Sequence, residues 1–146
     1  MDILFDGAES VGKFPEDWVF LESGISGGTY ADYLTWAVSK FGDRLALQLL
    51  PIRHRFTLPC YDGQGEILDE AQLTALLDEH LCAFSSLLCC NWCYLPTEEI
   101  ILWDDRNSLL ERLRMAAAAG VARVVIDTAI QKKFRLPGAG SPISVI

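Results

Sequence analysis

Carboxylates and cysteines are the side chains whose types and spacing in this sequence could do chemistry. Paired acids stand at Asp69-Glu70, Asp78-Glu79 and Asp104-Asp105, Asp6 and Glu9 lie near the start, and Glu22 closes an apolar run. Two carboxylates flanking a bond can divide general acid and base duties. Adjacent acids ahead of an apolar helical stripe, however, are what a helix cap requires, because their oxygens accept the free amide hydrogens of the first turn. Asp104 and Asp105 are read that way, and Asp69-Glu70 and Asp78-Glu79 as caps or solvated faces. Glu22 is the one catalytic candidate, placed at a strand end but without an identifiable second group.

The five cysteines are Cys60, Cys82, Cys89, Cys90 and Cys93. Odd in number and set in apolar sequence, they fit reduced thiols better than a disulfide framework. Cys90 and Cys93 form a Cys-x-x-Cys pair, which with Cys60, His54 or His80 has the donors for tetrahedral zinc but lacks a second pair at ligand spacing. Small buried hydrophobes are the expected role, with no metal and no cofactor. The loop Glu22-Ser-Gly-Ile-Ser-Gly-Gly matches no phosphate-binding spacing and has no lysine, so it is read as a connection.

A net charge of −8 over 146 residues argues against nucleic acid as a partner. Arg53 with Arg55, and Lys132, Lys133 with Arg135, are the basic clusters, read as a solvated strand edge and a solvated tail. No segment has the pattern of a signal peptide or a membrane span, so a cytoplasmic chain is expected. The 51% of apolar residues can fill one core.

Which elements must position these groups? Residues 98–127 read as strand, helix, strand: Ile100–Trp103 is apolar, Leu109, Leu110, Leu113, Ala116 and Ala117 recur at helical spacing, Gly120 ends the helix, and Val121–Ile126 is apolar again. Upstream, Trp18–Leu21 reads as a strand, Thr29 caps a helix buried through Leu34, Ala37, Val38 and Phe41, and Leu45–Ile52 forms a further strand, giving a parallel crossover. Between them, Arg53–Cys60 alternates like an antiparallel ribbon. Asp69 and Gln72 form a capping box for a helix whose buried face is Leu73, Leu76, Leu77, Leu81 and Phe84. Residues 83–95 have room for two short strands. Met1–Phe5 reads as a lead-in and residues 135–146 as a loose tail.

These segments, in this order, resemble the C-terminal half of family 18 glycoside hydrolases of the chitinase-like, spore cell-wall type. Phe5-Asp6 through Trp18-Val-Phe-Leu21 is similar to the approach to the sixth barrel strand. Arg44–Pro51 with Phe56-Thr-Leu-Pro59 is similar to the seventh, and Ile101-Leu-Trp-Asp-Asp-Arg-Asn-Ser108 to the element before the last helix. The resemblance implies an α/β fold: a partial barrel of about three parallel strands (1–52 and 103–130) with a small α+β insertion (53–102), all in one domain. A full eight-stranded barrel needs about 250 residues.

The family's Asp-x-x-Asp-x-Asp-x-Glu strand is absent, its Met-x-Tyr-Asp falls at Leu21-Glu22-Ser23-Gly24, and Asp127 stands where it places a tryptophan. The resemblance therefore implies a non-catalytic fragment that binds a glycan or a protein at most, with Glu22, Arg53, Trp103 and Asp127 as the residues that would meet a ligand. An exposed sheet edge predicts a homodimer or a partner protein covering it. Two other readings fit the same residues: a small acidic protein that binds a basic partner, and one half of a split glycosidase.

Overall fold

A computed structural model describes residues 1–6, 14–24, 28–59 and 65–137. Cys60, the turn at 61–64, much of the glycine-rich loop and the tail from 138 lie outside the described residues.

Two sheets share the chain. The first is parallel, built from β1 (Asp2–Asp6), β2 (Val19–Glu22), β3 (Leu45–Gln48) and β9 (Arg123–Asp127) in the order β1-β9-β3-β2. It holds four strands rather than three, because Asp2–Asp6 is not a lead-in: it pairs with β9 along its whole length, Ile3 opposite Val124 and Phe5 opposite Ile126. Its hydrogen-bonding partner lies more than a hundred residues away, so nothing local marks it as a strand. Helices α1 (Tyr30–Phe41) and α3 (Arg106–Ala118) supply Leu34, Ala37, Leu109, Leu113 and Ala116 to the main core, which also contains Leu45, Leu47, Val124 and Ile126.

Caps set these boundaries as the sequence predicts. The Thr29 hydroxyl accepts from the Asp32 amide at 3.1 Å, and the Asp105 carboxylate accepts from Ser108 N–H at 2.8 Å while Ser108 Oγ accepts from Asp105 N–H. Gly120 then takes φ +89°, a backbone shape that a side chain would strain.

The second sheet is antiparallel. Its order is β5 (Glu66–Ile67), β4 (Arg53–Thr57), β8 (Glu99–Trp103), β7 (Cys90–Leu95), β6 (Ala83–Ser85). The strand that opens the 98–127 unit thus belongs to this sheet, and α3 carries the chain from it into the parallel one. Helix α2 (Glu70–Glu79), held by the Asp69–Gln72 capping box, lies on one face through Leu73 and Leu76, packed against Leu68, Cys93, Leu95, Ile101 and Trp103.

Its predicted buried face is only partly realised. The helix stops at Glu79, leaving Leu81 97% exposed and Phe84 46% exposed in β6. The last helix among the described residues, α4 (Thr128–Phe134), is followed by Leu136, which is buried and whose carbonyl accepts from Gln131 Nε2 at 3.1 Å.

Candidate functional site

Where the insertion meets the parallel sheet, α2, the β8–α3 turn and α4 enclose a cleft of about 1010 Å³. Its walls follow the C-terminal ends of β3 and β9: Pro51–Arg53 on one side, Ala129, Ile130 and Lys133 on another, with Leu73, Leu77 and Asp78 of α2 facing them. Ligand sites of α/β proteins collect at such strand ends, because loops and helix termini converge there.

Two of the four predicted ligand residues come together here. Arg53 and Trp103 are direct partners across β4 and β8, and both line the cleft. Trp103 is half-buried, and its Nε1–H is a buried donor without an acceptor among the described residues. Such a donor costs free energy until an oxygen reaches it. Lys133 of α4 reaches Glu70 of α2 at 2.5 Å, bridging two walls, and this hydrogen-bonded ammonium lowers the Glu70 carboxyl below its usual range. The Lys132–Arg135 cluster is thus not wholly a solvated tail.

Glu22 and Asp127 lie apart from this cleft. Glu22 ends β2 with its side chain in solvent, and its carbonyl accepts from Tyr33 Oη at 2.8 Å. The Asp127 carboxylate accepts from Ala129 N–H at 2.8 Å and so begins α4. Neither shares a wall with Arg53 and Trp103. Cys90 and Cys93 cannot share a metal either, because residues three apart on a strand point to opposite faces. Cys90 packs with Ile52, Phe56 and Leu102, Cys93 with Leu68 and Ile101, and no group of metal-binding side chains occurs among the described residues.

Behind the cleft wall lies a buried polar hub that sequence reasoning missed. Arg112 of α3 is fully buried, and its guanidinium donates to the carbonyls of Ser23, after β2, and of Leu88, in the β6–β7 turn, the latter at 3.3 Å. It also stacks on the Tyr30 ring, 4.7 Å from the centroid, and its Nε stands 3.5 Å from Asp104 Oδ1.

Asp104 lines the cleft by position, yet its side chain is sealed. Oδ2 accepts from Ile52 N–H at 2.9 Å, and Oδ1 accepts from Ser108 Oγ at 2.6 Å. Burial pushes its carboxyl above the usual range, and the Arg112 charge and the Ser108 and Ile52 hydrogen bonds only partly offset this. A raised carboxyl in a cleft wall is the profile of a general acid, but both oxygens are already engaged inside the protein. The signal for Arg112 was present: Leu109, Arg112, Leu113 and Ala116 recur at i, i+3, i+4 and i+7, so the arginine falls on the buried stripe.

Neither a scan of protein-family models nor a search of curated proteins returns a match. Among solved structures, the Bacillus megaterium QM B1551 spore cortex-lytic enzyme SleL resembles this chain with a TM-score of 0.52 at 12% identity. The likeness covers 75% of this chain and 30% of that enzyme's chain, so this chain spans well under half of its neighbour's length. At that identity the likeness is one of fold: an α/β chain with a parallel sheet and an antiparallel insertion, built like part of a spore cortex-lytic enzyme.

Proposed function

We propose that the chain is a sugar-binding fragment of glycosidase-like architecture that holds its ligand in the cleft between α2 and α4 and does not hydrolyse it. The observation that carries this reading is Trp103: a half-buried indole on the cleft wall, opposite Arg53 across the β4–β8 ladder. Aromatic faces stack on the apolar face of a pyranose, while a guanidinium donates to its oxygens. Support for the ligand class comes from the likeness to an enzyme named for lysing spore cortex, and from the ordered segments that resemble family 18 hydrolases.

Support for the absence of hydrolysis is chemical. Retaining and inverting mechanisms alike need acidic groups that reach the glycosidic oxygen. Of the carboxylates that line the cleft, Asp104 spends its oxygens on Ile52, Ser108 and Arg112, Asp105 caps α3 and Glu70 pairs with Lys133. That leaves Asp78 without a second uncommitted carboxylate, and Glu22 lies outside the lining. Titration with β-1,4-linked N-acetylglucosamine oligomers and with soluble peptidoglycan fragments, followed by calorimetry, should show binding that Trp103→Ala removes. A fluorogenic chitobioside should remain intact. Binding unchanged in Trp103→Ala would remove the cleft from the reading. Hydrolysis lost in Glu22→Gln would replace it with an enzyme.

A second reading, a protein partner or a second copy of the chain, is favoured by one surface. On the face of the antiparallel sheet away from α2, Trp92, Tyr94 and Ile67 are 38%, 52% and 65% exposed. Light scattering tests it: a single monomeric species at working concentration counts against self-association.

A further inference from the structure

A pair of thiols meets at the rim of the insertion. Strands β6 and β7 run antiparallel with Ala83 opposite Trp92 and Phe84 opposite Asn91, so the same register carried one residue outward sets Cys82 opposite Cys93. Opposed residues of an antiparallel ladder have Cα atoms about 4.5–5.5 Å apart. Disulfides span Cα separations of about 4.4–6.8 Å. Both thiols are free in this structure, and Cys82 is the polar neighbour that acts on the Cys93 thiol.

Their surroundings differ. Cys82 is exposed, its Sγ 3.8 Å from the His80 carbonyl, whereas Cys93 is buried under α2 with Leu68, Leu95 and Ile101. Burial, and then the neighbouring Cys82, push the Cys93 thiol up to about 11. A reagent from solvent therefore meets Cys82 first. Cys89 and Cys90 do not compete, being buried with thiols pushed up by burial to about 12 and about 11.

We propose that Cys82 and Cys93 are a redox site, an exposed entry thiol and a buried resolving thiol that close into an intramolecular disulfide when a low-molecular-weight disulfide such as oxidised glutathione is supplied. The Cys82 thiolate attacks one sulfur of that reagent, the S–S bond breaks, and one glutathione leaves as a thiolate that takes up the proton Cys82 released. Cys93 then loses its proton to solvent and attacks Cys82 Sγ in the mixed disulfide, expelling the second glutathione thiolate, which is protonated in turn. Two protein thiols are oxidised and one disulfide is reduced to two thiols. The new bond fastens the exit of α2 to β7, and α2 forms one wall of the cleft, so the redox state sets how freely that wall moves. The site is independent of what the cleft binds.

Incubating the full chain with oxidised glutathione, then blocking the remaining thiols with iodoacetamide in denaturant and digesting with chymotrypsin, tests this directly. Cleavage after Leu81, Phe84, Trp92 and Tyr94 separates the two cysteines from each other and from Cys89 and Cys90. The expected product is peptide 82–84 joined to peptide 93–94 in a monomeric chain, absent from Cys82→Ser, with Cys89 and Cys90 carrying the block. Cys82 found as the glutathione adduct with Cys93 blocked, or joined to a second chain, or joined to another cysteine, would overturn the assignment.

Discussion

The parallel and antiparallel sheets meet the same requirement, that apolar faces be covered, with different completeness. In the parallel sheet β3 and β9 are buried on both faces, and the helices over them contribute side chains with no measurable exposure, such as Leu109 and Ala116. In the antiparallel sheet one face meets α2, a helix with no fully buried residue, and the other leaves Trp92 and Tyr94 in solvent. The first region is a scaffold in which volume changes are costly. The second has partly open walls, and the cleft lies along the seam between them. Arg112 fixes that seam, because its guanidinium holds Ser23 from one side and the Leu88 turn from the other.

The contrast can be broken most directly at Arg112. Removing one partner of a buried ion pair leaves the other charge uncompensated, at a cost of about 3–5 kcal/mol. Arg112→Leu is expected to lose stability of that order in urea unfolding, or to fail to fold. A loss below about 1 kcal/mol, the scale of an exposed pair, would show the hub to be incidental.

Next in size is a matched pair of truncations. Leu47→Ala, at a position with no exposure, is expected to cost about 2–5 kcal/mol. Leu76→Ala, on the half-buried face of α2, is expected to cost less than half as much, since it leaves a groove that water enters. Equal losses would mean that the two regions are packed alike.

A third test uses pH. The Asp104 carboxyl is raised in the folded protein, so its contribution to stability is present below the unfolded carboxyl value and is lost as pH rises through the folded one. The stability of the wild type relative to Asp104→Asn should therefore decline from the acid end towards neutrality, whatever the offset from the lost charge. Guanidinium melts from pH 4 upward report it, and a difference rising with pH would reverse the assignment of burial as the dominant cause. The smallest effect is expected at the Lys133–Glu70 bridge. Both groups are largely solvated, so Lys133→Met should leave the thermal midpoint unmoved.

Local signals carried much of the fold into the sequence. The Thr29, Asp69 and Asp105 caps, the stop at Gly120, and the antiparallel ribbon that begins at Arg53 all depend on neighbours within a few residues, and the structure keeps each of them, the ribbon as far as Thr57. What depends on distant partners was not legible. Asp2–Asp6 is a strand only because β9 pairs with it, and Leu81 and Phe84 leave the helical stripe because α2 ends before them.

The site divides in the same way. Arg53 and Trp103 were identified by type and are brought together by the β4–β8 register, whereas Glu22 and Asp127 share strand ends but not the cleft. Arg112 escaped because the reading of the helix followed its apolar residues alone. Only its place on the Leu109–Ala116 stripe revealed its burial.

The position of β9 bears on how the chain comes together during synthesis. It is the last strand among the described residues, yet it stands between β1 and β3. Until residue 127 has left the ribosome, β1 has no ladder to join, and β3 is paired on one side alone. Contacts this far apart in sequence slow folding. The α1 crossover and the antiparallel insertion are thus able to form first, holding a slot open for the strand that unites the sheet. A chain stopped before Arg123 should emerge with its first strand unpaired and become a client for chaperones.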